Sequence, residues 1–142
     1  MEPRNSWKLL LFVVSLTFAT STRAEVVVVV SSKSSVTSLT TEQIARIFLG
    51  KVTRFPNDGR ALPIDQPEGS EIRDEFYSKV AHKNSSQLNS YWAKVIFTGE
   101  GNPPRLVTSD VAVRKAVAGN PNAIGYIDKS AVKNSVRVIL EP

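Results

Sequence analysis

Val26-Val27-Val28-Val29-Val30 decides the fold. Five β-branched residues in a row would lose side-chain freedom in a helix and pack well on a pleated sheet. The run is apolar on both alternating faces, so it reads as a central strand covered on both sides, as in a parallel sheet flanked by helices. Ser31 through Ser38 then forms a polar loop at the strand's carboxyl end, a place that lines ligand crevices in open α/β sheets or serves as an ordinary connection.

Upstream of the valines, Arg4 and Lys8 precede the apolar run Leu9 to Phe18, and small and polar residues follow as far as Ala24. This is the layout of a secretory signal peptide, and the run is about half the roughly 20 residues that a membrane-spanning helix needs. Cleavage is expected after Ala24, with Ala19 as an alternative, so residues 1–24 are the leader and 25–142 one domain. The 142-residue chain has 18 basic and 13 acidic residues; Arg4, Lys8, Arg23 and Glu2 fall in the leader, which leaves 15 against 12. The remaining charges are interspersed and form no dense basic run, so nucleic acid is not an expected partner. The chain contains no cysteine, which excludes disulfides, thiolate metal sites, a cysteine nucleophile and lipidation at an N-terminal cysteine.

Downstream, helices and strands alternate. Thr40-Thr41-Glu42-Gln43 fits a capping box, Ile44, Ile47 and Phe48 share one face of the helix that follows, and Gly50 stops it. Ala61 to Asp65 reads as a short strand placed near an edge or begun after Pro63, because proline cannot donate to a ladder. Ile72, Phe76, Tyr77 and Val80 recur at helical spacing, with Arg73, Asp74, Glu75 and Lys79 on the wet side. Ser85 or Ser86 caps the next helix, whose stripe is Leu88, Tyr91, Trp92, Val95 and Ile96. Leu106-Val107 is a brief strand. Ser109 caps a helix carrying Val111, Ala112, Ala116 and Val117, which ends at a left-handed Gly119. Ala123 to Ile127 and Val136 to Leu140 are the last strands, and Gly125 suggests close approach by a neighbouring backbone or a ligand. The fold class is therefore α/β, a single three-layer lobe with a mostly parallel central sheet and helices on both faces.

The candidate site is Asp65-Gln66-Pro67-Glu68-Gly69-Ser70-Glu71-Ile72-Arg73, where a strand gives way through a Pro/Gly turn to a helix. First-turn amides lack intrahelical partners and sit at the positive end of the helix dipole, so a glycine there outlines an anion cradle. Ser70 as a simple helix cap is the plainer reading. No catalytic signature accompanies it. His82 is the only histidine and stands beside Lys83 at a polar helix end, and HExxH, GxSxG and Walker-type sequences are absent. An enzyme is not expected, and neither a cofactor nor a metal is implied.

Three pieces in order, Leu39-Thr40-Thr41-Glu42-Gln43-Ile44-Ala45-Arg46-Ile47-Phe48-Leu49-Gly50-Lys51, the Gly69-Ser70 turn into Phe76, and Pro121-Asn122-Ala123-Ile124-Gly125-Tyr126, resemble the phosphate-type substrate-binding proteins of bacterial ABC transporters, within the type 2 periplasmic binding protein superfamily. The resemblance covers nearly all of 25–142. It implies a periplasmic or secreted protein that binds a small oxyanion, phosphate foremost, in association with a membrane permease or porin. Gly69 and Ser70 would donate to the anion, Glu68 would accept a proton from it, and Gln66 or Arg73 would orient it. The family's loop reads roughly Arg-x-Asp-Gly-Ser-Gly-Thr; here Gln66 stands for the arginine and Glu71-Ile72 for the second Gly-Thr. Loss of a bidentate guanidinium weakens oxyanion binding. The usual family member also closes two lobes over its ligand, whereas this chain supplies one, so a homodimer or a second protein would have to form the other wall. The alternative is an interaction or sensory module that kept the fold and lost the ligand.

Overall fold

The computed structural model describes residues 23–142, together with Ser15 and Thr17. The signal-peptide reading of 1–24 falls almost wholly outside the described residues. Among these the elements run β1 (Val26–Ser31), α1 (Thr41–Phe48), β2 (Leu62–Asp65), α2 (Glu71–Ala81), α3 (Ser85–Thr98), β3 (Arg105–Leu106), α4 (Asp110–Ala118), β4 (Ala123–Asp128), a 3-10 turn (Lys129–Ala131) and β5 (Val136–Leu140).

The strands form one sheet in the order β3-β2-β4-β1-β5. The valine run is its central member, each valine no more than 3% exposed. Val26, Val28 and Val30 pack on one face with residues of α1, α2 and α3, while Val27 and Val29 pack on the other with Val113 and Val117 of α4. This is the expected three-layer lobe. Strand direction departs from expectation at one place: β2 is parallel to both β3 and β4, but β1 is antiparallel to both β4 and β5. Four strands thus point one way and the valine strand points the other. Two-sided burial dictates an apolar run whatever the direction of its neighbours, so the run itself carries no direction.

That reversal moves the serine loop. Val30 lies opposite Ile124 near the start of β4, and Val26 lies opposite Asp128 at its end. The Ser31–Ser38 loop therefore sits at the sheet edge away from the carboxyl ends of β2 and β4. It is an ordinary connection, clasped by Arg137, whose Nη1 donates to the carbonyls of Ser34 and Val36 at 3.0 Å and whose Nη2 donates to that of Ser32 at 3.0 Å.

Pro63 does not place its strand at an edge, since β2 lies between β3 and β4. The amide of Leu62 donates to Asn122 on the β4 side, so the proline nitrogen faces β3, and β3 begins its pairing only at Ile64. The missing donor falls where no strand is present to miss it. Local capping follows the sequence at Thr40, where the capping box with Gln43 forms, and at Ser109. It departs at α3, which is capped by Asn84 in a box with Gln87 rather than by Ser85 or Ser86. At the end of α4, Gly119 has φ −82° and is not left-handed. Ile96, expected on the apolar stripe of α3, is 58% exposed, leaving Leu88, Trp92 and Val95 as its buried face.

Candidate functional site

The carboxyl end of β2 delivers Asp65 and Gln66 into the interior, each no more than 4% exposed. A buried carboxylate must be paired and hydrogen-bonded to persist, and Asp65 is both. Its Oδ1 accepts from the Gln66 amide at 2.8 Å and from the Tyr126 hydroxyl, and its Oδ2 accepts from the Tyr77 hydroxyl at 2.8 Å. Burial first, and then the Asp65 charge, push both phenols well above the ordinary tyrosine range, so both remain protonated donors. Tyr126 also stacks on Phe76, ring centroids 4.0 Å apart and nearly coplanar at 5°. The network joins β2, β4 and α2 directly beneath the turn that opens α2.

Gln66 is committed to the same scaffold. Its Nε2 donates to Asp110 Oδ1 at 2.7 Å and to the Tyr126 carbonyl at 3.0 Å, which ties the turn to the first residue of α4. Arg73 is the clearest departure from the sequence reading, which put it on the wet side of α2. Only 9% exposed, it lies with Nε 3.5 Å from Asp65 Oδ1 and its guanidinium over the Tyr77 ring at 5.3 Å. That Nε is buried without a hydrogen-bond partner. Its cation answers the buried Asp65 charge, and the ring face of Tyr77 favours it further.

Above this floor sits the turn itself. Gly69 has φ +87°, and a Cβ built on it would meet nothing within 4 Å. The glycine is there for its backbone angle and not for want of room. Ser70 caps α2, its Oγ accepting from the Arg73 amide at 3.2 Å, while its own amide donates to the Pro67 carbonyl at 3.2 Å. The plainer reading of Ser70 is thus satisfied, and its hydroxyl proton is still available to a guest. Among the described residues, the amides of Gly69, Glu71 and Ile72 have no acceptor. Glu68 is exposed and turned toward α3, Oε1 accepting from Asn89 Nδ2 at 2.7 Å and from Ser85 Oγ at 3.1 Å. The Asn89 bond first, then the Ser85 bond, hold its carboxyl below the usual range.

The structure therefore places Gly69 and Glu71 at the surface with Ser70 partly exposed between them, Glu68 exposed and facing α3, and Gln66, Ile72 and Arg73 in the buried layer below. Sequence reasoning missed Asp65, Tyr77, Tyr126 and Asp110 as the supports of this turn. An aspartate at the buried end of a strand and a tyrosine in the core strand Ala123 to Ile127 were the available signals, since each obliges its polar atoms to find partners. His82 lies at the far end of α2, as its left-handed C-cap residue.

No family model matches the sequence, and no curated protein matches it. The fold, however, occurs in solved structures. The chain is similar to a protein described as a phosphate ABC transporter substrate-binding protein from Clostridium perfringens, solved with bound phosphate, at TM-score 0.65 and 24% identity over 82% of this chain and 44% of that one. It is similar to an ABC-type phosphate transport receptor from Vibrio cholerae at TM-score 0.64 and 22% identity, over 82% of this chain and 45% of that one. PstS from Borrelia burgdorferi gives TM-score 0.60 and 16% identity, with 82% and 46% covered. The chain thus spans less than half the length of these proteins. At such identities the likeness is one of fold: this chain has the architecture of a single lobe of the phosphate-binding proteins.

Proposed function

We propose that this single lobe is an exported solute-binding protein for a small oxyanion, phosphate foremost, acting by binding rather than catalysis. The observation that carries the reading is the Gly69-Ser70 turn, where the amides of Gly69, Glu71 and Ile72 at the start of α2 have no acceptor among the described residues. Amides at a helix start, backed by the helix dipole, suit an anion's oxygens. The Ser70 hydroxyl adds a donor, and the ionised Glu68 is an acceptor for the proton of a monohydrogen or dihydrogen anion. The phosphate-bound relative from Clostridium perfringens supports the ligand class. The apolar run at residues 9–18 with its basic flank supports export to the periplasm or beyond, and delivery to a membrane permease or porin fits that setting.

One lobe leaves the anion wet. A charge pair at 4 Å is worth about 1 kcal/mol in water against about 4 kcal/mol at a partly shielded surface. Affinity for the isolated chain is accordingly on the order of millimolar, some 4 kcal/mol, and a second wall from another copy or another protein would raise it. Calorimetric titration of the chain with phosphate and with sulfate tests this. No heat at several-fold millimolar anion, at protein concentrations spanning monomer and any oligomer, would sink the proposal.

One observation favours a second reading, a docking or sensory module that kept the fold and no longer binds an anion. Glu71 is exposed at the first helical position, in an open groove of about 500 Å³ that Glu25, Asp74 and Glu75 also line. Those carboxylates repel an approaching anion. Ser70→Ala separates the two: anion heat lost with the fold intact supports binding, whereas unchanged cellular function with unchanged stability supports docking.

A further inference from the structure

Glu25 is the residue at which the chain becomes tied to the sheet. Its amide donates to Asp128 Oδ2 at 3.2 Å, its carbonyl accepts from the Lys129 amide at 2.8 Å, and the next amide, Val26, donates to Glu75 Oε1 at 3.5 Å. Arg23, two residues upstream, lines two adjoining open grooves whose other walls are largely acidic. One, of about 500 Å³, has Glu71, Asp74 and Glu75 of α2. The other, of about 400 Å³, has Asp128 at the end of β4. The two lysines nearby are already engaged: Lys79 Nζ lies 2.8 Å from Glu75, and Lys129 Nζ lies 3.5 Å from Glu141 and 3.9 Å from the Glu25 side chain.

We infer that removal of residues 1–24 leaves an α-ammonium on Glu25 that pairs with the Asp128 carboxylate and fastens the start of β1 to the end of β4. This rests on the export reading above, and it selects Ala24 over Ala19 as the cleavage point. Cutting after Ala24 takes away the Arg23 charge and restores a positive charge two residues further along, within bonding distance of a carboxylate. Cutting after Ala19 leaves Glu25 with an ordinary amide and Arg23 in place. Asp128 is prepared for the role, because bonds from the Ser130 hydroxyl at 2.7 Å and amide at 2.9 Å hold its carboxyl below the usual range. The ammonium would therefore meet an ionised partner at any pH near neutral.

The sign follows from the pairing. An amine that gains an ionised partner on folding has its pKa raised above the unfolded value, so the stabilisation is complete below that unfolded value, about 8, and is lost as pH rises through the folded value. Glu71, Asp74 and Glu75 on α2 push in the same direction as Asp128, and Lys79 and Lys129 oppose them.

The test uses the full chain produced in an exporting bacterial host. Intact mass of the exported product reports the first residue, and the rate of α-amine labelling by a limiting acylating reagent, followed from pH 6 to 10 in the native protein and in urea, reports the amine's pKa. The expected result is a product beginning at Glu25 whose native α-amine is labelled about tenfold more slowly at pH 7 for each unit of raised pKa. Asp128→Asn should restore most of that rate. A product beginning at Thr20, or one beginning at Glu25 with the same pKa native and unfolded, overturns the inference. So does an Asp128→Asn protein, folded by circular dichroism, whose amine is as slow as wild type, since burial alone would then explain the slowness. A product retaining residues 1–24 overturns the export reading as well, so the two failures are told apart.

Discussion

The Nε of Arg73 lies 3.5 Å from the Oδ1 of Asp65, both side chains at least nine-tenths buried. Asp65 holds three hydrogen bonds besides this contact, from Gln66, Tyr77 and Tyr126, while Arg73 offers a buried Nε that makes none. The pair is therefore asymmetric, and its two halves should fail differently. Asp65→Ala strands a buried cation together with two phenol hydroxyls and is expected to cost about 3–5 kcal/mol. Arg73→Met leaves a carboxylate still bonded by three donors and should cost less. Urea unfolding of the two variants measures both; an equal or larger loss for Arg73→Met would contradict the asymmetry.

The same network predicts an alkaline limit to stability. Tyr77 and Tyr126 are neutral in the fold because burial and the Asp65 charge raise their pKa, whereas an unfolded tyrosine ionises near 10. A raised folded value means the stabilisation is complete below pH 10 and is lost as pH rises beyond it. Two such groups give a slope of about 2.7 kcal/mol per pH unit above 10. Tyr91, raised by lesser burial and by Glu100, is the remaining tyrosine. Tyrosinate absorbance should therefore show one phenol titrating in the native protein and the other two appearing only with unfolding. Three phenols titrating together while the circular dichroism stays native would refute this.

How far the sequence carried can be read from particular residues. The valine run disclosed a central strand with two covered faces because burial writes itself into composition. It was silent on direction, since direction is settled by how the chain returns to the sheet, and nothing within the five valines records that. Arg73 reads as solvent-facing because Asp74 and Glu75 adjoin it. Its partner Asp65 lies eight residues back, at the end of a strand, beyond any helical spacing rule. Pro63 suggested an edge, and the ladder is indeed open on its nitrogen side, but from the shortness of β3 and not from the position of β2. The Gly69-Ser70 turn was legible as a helix start. The supports beneath it were not, because they come from three separate elements.

Glu68 offers a test of how the turn is held to α3. Its carboxyl is fully exposed, and it is held below the usual range first by the bond from Asn89 and then by that from Ser85. A depressed folded pKa gives stabilisation that is present above the unfolded value, near 4.3, and is lost as pH falls through the folded value. Asn89→Ala should move the Glu68 titration upward, toward the unfolded value, and Ser85→Ala should move it less. Carboxyl-carbon NMR titration reads both shifts. If Ser85→Ala moved Glu68 further than Asn89→Ala, the ranking of the two bonds would be wrong.

Gly125 ties the sheet to the helix on its other face. A Cβ at this position would lie 2.5 Å from Val113 Cγ1 and 3.1 Å from Val117 Cγ2, while the nearest backbone atom, the Ile64 carbonyl oxygen, is 3.7 Å away. The close approach expected of this glycine is thus made by side chains of α4, and not by a neighbouring backbone or a ligand. Both valines are fully buried and belong to the cluster that covers Val27 and Val29. One methyl group cannot enter without moving α4 off the sheet or forcing Val113 from its rotamer, so Gly125→Ala should cost about 1–3 kcal/mol. Because the clash is chiefly with one side chain, Val113→Ala in the same protein should recover part of it, with a coupling of about 0.5–3 kcal/mol in a double-mutant cycle. The displacement also reaches the candidate site, for α4 begins at Asp110, which accepts from Gln66 at 2.7 Å. Gly125→Ala is accordingly expected to weaken anion heat as well as stability, and Val113→Ala to restore both. Additive losses in the double variant would mean that Gly125 is required for something other than room for Val113.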